Sequence, residues 1–185
     1  VLWVVDDSGS MNRFQTNLAS NIGLFVSTFM STGADYHMSV ITTSDWFASP
    51  LITSADADPA GTLAAQGMVG VSGSGMEKGI KMAKEALRSS RSAGPGSSFF
   101  RSDATLVVIF VSDEPDFSEG GWSSYLPFFD SIKPAGQFIP YGVIGDYTAG
   151  CSMTGPFGNA QFGSGYWHMI DHYGGDWYSI CATDW

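Results

Sequence analysis

The stretch Val1-Leu2-Trp3-Val4-Val5-Asp6-Asp7-Ser8-Gly9-Ser10 decides how the rest of the chain is interpreted. Its five leading apolar residues include three valines, and they predict a strand that is buried on both faces, as in parallel sheets. The strand ends at Asp6, and a polar turn follows in which Gly9 lets the backbone fold tightly. The sequence therefore predicts a parallel strand that delivers an acidic, hydroxyl-rich turn to one edge of a sheet.

A second apolar strand ends in the same way. Ala104–Val111 is followed directly by Ser112-Asp113-Glu114. Parallel strands share one carboxyl edge, and ligands of α/β sheets bind at that edge near a topological switch point. We therefore expect both acidic clusters to face one crevice.

The remaining hydrophobic pattern alternates strands with helices. This order predicts an α/β fold, a three-layer sandwich with a mainly parallel central sheet flanked by helices. We expect residues 1–185 to form a single domain that belongs to a larger protein. Residues 45–72 are expected to be irregular apart from a short strand near Leu51, and residues 89–102 and 145–165 to be loops. The predicted helices are Met11–Phe29, Met76–Leu87, Tyr125–Ile132 and Tyr166–Tyr173, and the other predicted strands are Tyr36–Thr43, Phe138–Ile144 and Trp177–Cys181.

Composition excludes several classes of protein. Hydrophobic residues make up 44% of the chain and charged residues only 14%, which excludes intrinsic disorder. The formal net charge of -10 argues against a nucleic-acid partner, because binding to phosphates requires a basic face. No apolar run reaches the ~20 residues that a membrane-spanning helix needs.

The turn after the first strand has the pattern of a metal site. Asp6, Ser8 and Ser10 alternate with other residues, so a tight turn can direct three oxygens towards one point. Hard divalent cations prefer oxygen ligands, and Mg²⁺ takes six of them while usually keeping some water. Neutral hydroxyls leave most of the positive charge of the cation uncompensated, so the carboxylate of a partner can complete its shell. Alternatively, the two serines only turn the chain and cap the next helix.

Residues Val4–Met11 resemble the opening of a von Willebrand factor A domain. The hallmark of this family is a metal-ion-dependent adhesion site, which it shares with integrin I domains. The third motif of the family, an Asp that follows the apolar fourth strand, is matched by Asp113 at the end of Val107–Asp113. The second motif places a Thr before a helix that continues with Gly-Ile, and here Gly79-Ile80 aligns Ser74 with that Thr.

The resemblance implies a role for each candidate residue. Ser8, Ser10 and Ser74 would bind a divalent cation directly, most readily Mg²⁺ with Ca²⁺ or Mn²⁺ as alternatives, and Asp6 and Asp113 would act through bound water. Four further acids would add oxygen ligands or negative charge. The alternative explanation is that they are ordinary acids, either in the first turn of a helix or in solvated loops. These acids are Glu77, which is the alternative oxygen donor to Ser74, with Asp7, Glu114 and Asp116.

The expected function is binding rather than catalysis, because no residue pattern supplies an activated nucleophile or a tuned general base. We expect the cation to coordinate an acidic group of a protein or cell-surface ligand in adhesion. The alternative is a structural or assembly module of a surface protein, in which the metal only stabilises the loops. A third reading, a metal-dependent hydrolase, lacks supporting residues.

The two cysteines bear on the compartment. Cys151 follows the strand Phe138–Ile144 and Cys181 ends the next predicted strand. Neighbouring strands lie ~4.8 Å apart, so these cysteines can come within bridging range. A Cys151–Cys181 disulfide would place the protein at a cell surface, outside the cell or in the periplasm, whereas two buried free thiols are the alternative.

Overall fold

The computed structural model describes residues 1–90, 98–153 and 158–183. Parts of the predicted loops, residues 91–97 and 154–157, lie outside the described residues. The strands are β1 (Leu2–Val5), β2 (His37–Thr42), β3 (Ile52–Thr53), β4 (Leu106–Ser112), β5 (Phe138–Ile144), β6 (Cys151–Ser152), β7 (Asn159–Ala160) and β8 (Trp177–Ser179). The helices are α1 (Asn12–Ser31), α2 (Pro59–Gly67), α3 (Gly79–Ser90), α4 (Leu126–Ile132) and α5 (Tyr166–Tyr173), with short 3₁₀ turns at Gly9–Met11 and Trp122–Tyr125.

Six strands form the central sheet in the order β3-β2-β1-β4-β5-β8. Every pairing in it is parallel except the pairing of β2 with the edge strand β3. Strand β1 pairs with β2 on one side and with β4 on the other, where Val5 lies opposite Val111. The chain therefore winds outward in both directions from the β1–β4 pair, and the carboxyl ends of these two strands are the switch point of the sheet.

Helices cover both faces of the sheet, because the side chains of β1 alternate between two cores. Leu2 and Val4 pack in the core that contains α3, α4 and α5. Trp3 and Val5 pack in the core that contains α1 and Leu63 of α2. The prediction of a three-layer α/β sandwich with a mainly parallel sheet is confirmed.

Helix α2 is the largest departure from the predicted elements. We expected an irregular connection here, because Pro59–Gly67 is rich in small residues and buries only one large side chain, Leu63. The sequence did contain a local signal for the start of this helix, namely Asp58 followed by Pro59. In the structure the carboxylate of Asp58 accepts a hydrogen bond from the backbone N–H of Gly61 at 2.9 Å, and Pro59 is the first residue of the helix.

Three smaller features also differ from the prediction. Helix α3 begins at Gly79 and leaves Met76 exposed before it. Strand β8 ends at Ser179, two residues before Cys181. The predicted loop over residues 145–165 contains the antiparallel pair of β6 and β7.

The disulfide prediction is confirmed. Strands β5 and β8 are neighbours in the sheet, and Cys151 and Cys181 are bonded to each other with their Cα atoms 6.1 Å apart. The side-chain amide of Asn17 on α1 donates to the carbonyl of Ala182 at 2.8 Å, so the segment after β8 is also held against α1. Among the described residues, no helix is both long and apolar enough to cross a membrane.

Candidate metal centre

Asp6 is fixed at the point where β1 and β4 separate. Its backbone N–H donates to the carbonyl of Val111 at 2.9 Å and continues the pairing of the two strands by one residue. One carboxylate oxygen accepts from the N–H of Ser8 at 2.8 Å, and the other accepts from the hydroxyl of Ser112 at 2.7 Å. Because both oxygens are occupied and the side chain is buried, Asp6 is suited to organise the turn and to act on a cation through water.

A chain of hydrogen bonds joins the other residues of the first and third motifs. The hydroxyls of Ser8 and Ser10 lie 3.0 Å apart, and the hydroxyl of Ser10 donates to Asp113 at 3.1 Å. Ser8 and Asp113 are buried, whereas Ser10 is exposed. The structure thus brings Asp6, Ser8, Ser10 and Asp113 together, with the solvent on the side of Ser10.

The negative charge of this group has little compensation. The pKa of Asp113 is raised to about 7, chiefly by burial and in addition by the charges of Asp6 and Glu114, while the hydrogen bond from Ser10 opposes the shift. Burial also raises the pKa of Asp6, against hydrogen bonds from Ser112 and Ser8 that lower it. A cation bound between these carboxylates would supply the missing positive charge.

Glu77 is the most unusual acid of the region. Its side chain is 1% exposed, and neither carboxylate oxygen has a hydrogen-bond partner. Its pKa is raised to about 8, chiefly by burial and in addition by the nearby charges of Asp6 and Glu114. A buried carboxylate without a donor is costly, so this side chain lacks a positive partner within the described residues.

Ser74 lies in a neighbouring cluster with Asp7. The backbone N–H of Ser74 donates to the hydroxyl of Ser44 at 2.8 Å, and that hydroxyl donates to Asp7 at 2.7 Å. The hydroxyl of Ser74 accepts from the N–H of Met76 at 3.1 Å. Ser74 is exposed, and its hydrogen bonds fix the loop before α3 against the loop after β2. Its predicted role as a direct ligand stays a prediction.

The loop after β4 holds the first turn of α3 in place. Asp116 accepts from the N–H of Ile80 at 3.1 Å, and the hydroxyl of Ser118 accepts from the N–H of Lys81 at 3.0 Å. Tyr166 accepts from the N–H of Gly79 at 3.2 Å, so three N–H groups that a helix leaves unpaired are satisfied. These contacts give Asp116 a capping role, which explains the acid that sequence analysis grouped with the site.

Two buried polar residues of the site were missed from the sequence. The hydroxyl of Ser112 bridges Asp6 and the backbone of Glu114, at 2.7 Å and 3.1 Å. The amide of Gln15 donates to the carbonyls of Asp6 at 2.8 Å and Gly70 at 2.7 Å, which ties the turn to the segment before α3. A signal existed for Gln15, since it occupies the apolar face of α1 between Met11 and Leu18.

The donor set fits a hard divalent cation. The described residues contain no group of three or more His, Cys, Asp or Glu side chains arranged as a metal site. Here serine hydroxyls would supply part of the ligand set, because the hydroxyls of Ser8 and Ser10 form a hydrogen-bonded series with Asp113. The oxygens of Glu77, which have no hydrogen-bond partner within the part of the chain that the structure describes, are further potential donors at this edge.

Several large apolar side chains are exposed in the loops that follow the strands of the sheet. Among the described residues, eight large hydrophobic side chains are exposed, and five of them belong to loops after β2, β4 and β5 or to the segment before α3. We call these five residues the apolar rim: Phe47, Met68, Met76, Phe117 and Tyr147.

Comparison with solved structures supports the fold. The chain is similar to proximal thread matrix protein 1 from the mussel byssus, with a TM-score of 0.60 and 14% sequence identity. The similarity covers 98% of this chain and 44% of that chain, so this chain spans less than half of the length of that protein. At this identity the likeness supports a von Willebrand A-like α/β sandwich. Comparison with protein families and with curated proteins finds no match.

Proposed function

We propose that this chain is a cation-dependent binding module of an extracellular protein, in which the carboxyl edge of the sheet recognises an acidic group of a partner. The observation that carries the proposal is the hydrogen-bonded series Ser8–Ser10–Asp113 at the switch point of the sheet. It unites residues 103 positions apart in the sequence into one set of oxygen donors. Mg²⁺ fits this set, with Ca²⁺ and Mn²⁺ as alternatives.

Each residue of the set has a task that follows from its contacts. Ser8 and Ser10 offer neutral hydroxyls, and Asp6 and Asp113 offer negative charge from behind them. Ser112 and the N–H of Ser8 occupy the oxygens of Asp6, so this carboxylate holds the shape of the turn. A bound cation supplies an electrophilic position to which an external carboxylate can bind.

The partner is a protein or a cell-surface ligand that presents a carboxylate beside apolar groups. A chain with a net charge of -10 repels an acidic partner unless a cation intervenes, so recognition depends on the cation. The apolar rim offers contacts that add buried area around that central interaction. The proposed activity is binding without turnover, so hydrolysis of phosphoesters by the Mg²⁺-loaded chain would contradict it.

Two observations point to the extracellular compartment. The Cys151–Cys181 disulfide is of the kind that persists in oxidising environments. The similar structure belongs to a matrix protein of the mussel byssus. A surface-associated or matrix-associated module is the setting in which we place the proposed binding.

Peptide arrays test this function directly. The chain is applied to arrays of glutamate-containing peptides with apolar flanks and to matched arrays in which glutamine replaces each glutamate. We expect binding to the glutamate series with Mg²⁺ or Mn²⁺, loss of binding in EDTA, and weak binding to the glutamine series in both conditions. Equal binding in EDTA would contradict recognition through a cation.

A second candidate function is a structural or assembly module in which the cation only stabilises the loops. The likeness to a thread matrix protein and the deep burial of Glu77 favour it. Thermal denaturation separates the two functions. The second predicts that EDTA lowers the midpoint of unfolding while binding to every partner surface is unchanged.

A further inference from the structure

Glu77 has no structural explanation within the fold. A carboxylate that is 1% exposed normally accepts hydrogen bonds or pairs with a base, and neither oxygen of Glu77 does so. The basic residues that follow it are engaged elsewhere, since Lys78 and Lys81 both contact the exposed Glu119, at 2.7 Å and 3.2 Å. Among the described residues, no lysine or arginine forms an ion pair with Glu77.

Backbone contacts place Glu77 at the carboxyl edge of the sheet, between the loop after β2 and the loop after β4. The charges of Asp6 and Glu114, the acids that follow β1 and β4, agree with this position because they contribute to the raised pKa of Glu77. The backbone of Ser74 instead contacts Ser44, whose hydroxyl contacts Asp7.

The backbone around Glu77 is firmly held. Its carbonyl accepts from the N–H of Phe117 at 2.7 Å, and the carbonyl of Thr43 accepts from the N–H of Lys78 at 3.3 Å. Loops from two strands therefore fix the residue on both sides, and the capped first turn of α3 begins directly after Lys78. These contacts fix the backbone of Glu77 at the carboxyl edge of the sheet.

We propose that Glu77 is a direct carboxylate ligand of the cation in this chain, in the place for which sequence analysis assigned the hydroxyl of Ser74. This inference rests on the cation of the proposed function. A charged ligand compensates part of the positive charge that neutral hydroxyls leave open. The site therefore retains its cation without a partner, and an acidic partner adds a smaller increment than at a site built from hydroxyls alone.

Calorimetric titration of the whole chain with Mg²⁺ and with Ca²⁺ tests the assignment. We expect Glu77→Gln to weaken cation affinity by about tenfold or more, because ligand charge sets affinity at oxygen sites. Ser74→Ala should change it by less than about twofold, since it removes no charge. Asp103→Asn is the matched control, because it removes the same charge from an exposed position before β4 and should leave affinity unchanged.

Thermal denaturation in EDTA gives an independent readout. Above pH 8, where Glu77 is ionised, Glu77→Gln should raise the midpoint of the cation-free chain because a neutral amide replaces a buried charge. The variant should also shrink the increment that added cation produces. Glu77→Asp retains the charge but shortens the side chain, so it should lose affinity even if the glutamine variant folds poorly.

The outcomes are distinct. Wild-type affinity in both Glu77 variants, or a larger loss in Ser74→Ala than in Glu77→Gln, overturns the assignment and leaves the proposed function standing. Loss of affinity in Glu77→Gln combined with cation-independent peptide binding supports the assignment and contradicts the proposed function. A wild-type chain that binds no cation overturns both.

Discussion

Replacement of Asp113 by asparagine should stabilise the cation-free protein and abolish its response to cations. Asp113 is 1% exposed, and its carboxylate accepts a hydrogen bond from Ser10 at 3.1 Å. Asparagine has nearly the same shape and keeps an oxygen that can accept this bond. The substitution therefore removes a charge that the other acids of the site repel, and it removes little packing.

The pKa of Asp113 gives the size of the effect. Its folded value is about 7 against an ordinary 3.8, so the folded state binds the proton more tightly than the unfolded state. Stability is therefore greatest when Asp113 is protonated and falls as the pH rises from about 4 to about 7. At about 1.4 kcal/mol for each pKa unit, the full difference is about 4 kcal/mol.

The asparagine variant should recover only part of this free energy. Asp6 and Glu114 contribute to the raised pKa of Asp113, and their own protonation changes when Asp113 becomes neutral. We expect a gain of about 2 kcal/mol above neutral pH, and an unfolding entropy of about 2 cal/mol/K per residue converts this to about 5 °C in the midpoint.

Circular dichroism melts of three proteins in two conditions decide the question. Wild type and Asp113→Asn are compared above pH 7 in EDTA and with excess Mg²⁺, and Asp103→Asn is the control for loss of one exposed acid. Wild type should gain about 2.7 kcal/mol when the cation is at about a hundred times its Kd, and the variant should gain almost nothing. The variant is thus the more stable protein in EDTA and loses that advantage in Mg²⁺. A variant that melts below wild type in EDTA would refute the electrostatic reasoning.

Three further predictions concern the scaffold of the site. Replacing Cys151 and Cys181 by serine opens a loop with a sequence separation of 30 residues and should cost about 3.6 kcal/mol, seen as a lower urea midpoint; a cost below about 1 kcal/mol would mean that the contacts around α1 suffice. Ser112→Ala leaves one oxygen of buried Asp6 without its donor and should cost about 1–3 kcal/mol in EDTA by the same assay, whereas an unchanged midpoint would show that water replaces the hydroxyl. In EDTA the midpoint of the wild type should fall between pH about 4 and about 7, and saturating Mg²⁺ should flatten this slope, since the cation rather than a proton then neutralises Asp113; a slope that persists in Mg²⁺ would contradict this.

The centre of the sheet could be predicted because its residues carry redundant signals. Two segments are apolar and rich in β-branched residues, and each is followed by an acid: Leu2–Val5 and Leu106–Ser112. The hydrophobic pattern and the position of the acids therefore both predicted parallel strands whose carboxyl ends share one crevice. Their adjacency then follows from the fold, and with it the meeting of Ser10 and Asp113. The first and third motifs are local to strand ends, where the sequence specifies the backbone strongly.

The segment between Asp45 and Glu77 was less predictable, since tertiary contacts decide its structure. Helix α2 depends on the cap at Asp58 and on one buried leucine, which is a weak periodic signal. The loop before α3 has no strand to set its register. Its backbone is positioned by the hydrogen bond that Ser74 donates to Ser44 and by the one that Glu77 accepts from Phe117. An alignment on Gly79-Ile80 could therefore identify the loop but could not establish which of its residues faces the site.

The scaffold of the candidate site is assembled almost wholly from hydrogen bonds that carry no positive charge. Serine hydroxyls, backbone N–H groups and the amide of Gln15 hold the turn of Asp6 and the loop after β4, and no lysine or arginine contacts Asp6 or Asp113 among the described residues. An interior that only needed stability would pair such acids with bases or replace them by apolar groups. Here the geometry is fixed while the charge is left uncompensated, and the basic residues at the start of α3 are directed to Glu119 instead. A site that is rigid in shape and deficient in positive charge is suited to a small, hard cation, which supplies charge without requiring the protein to rearrange.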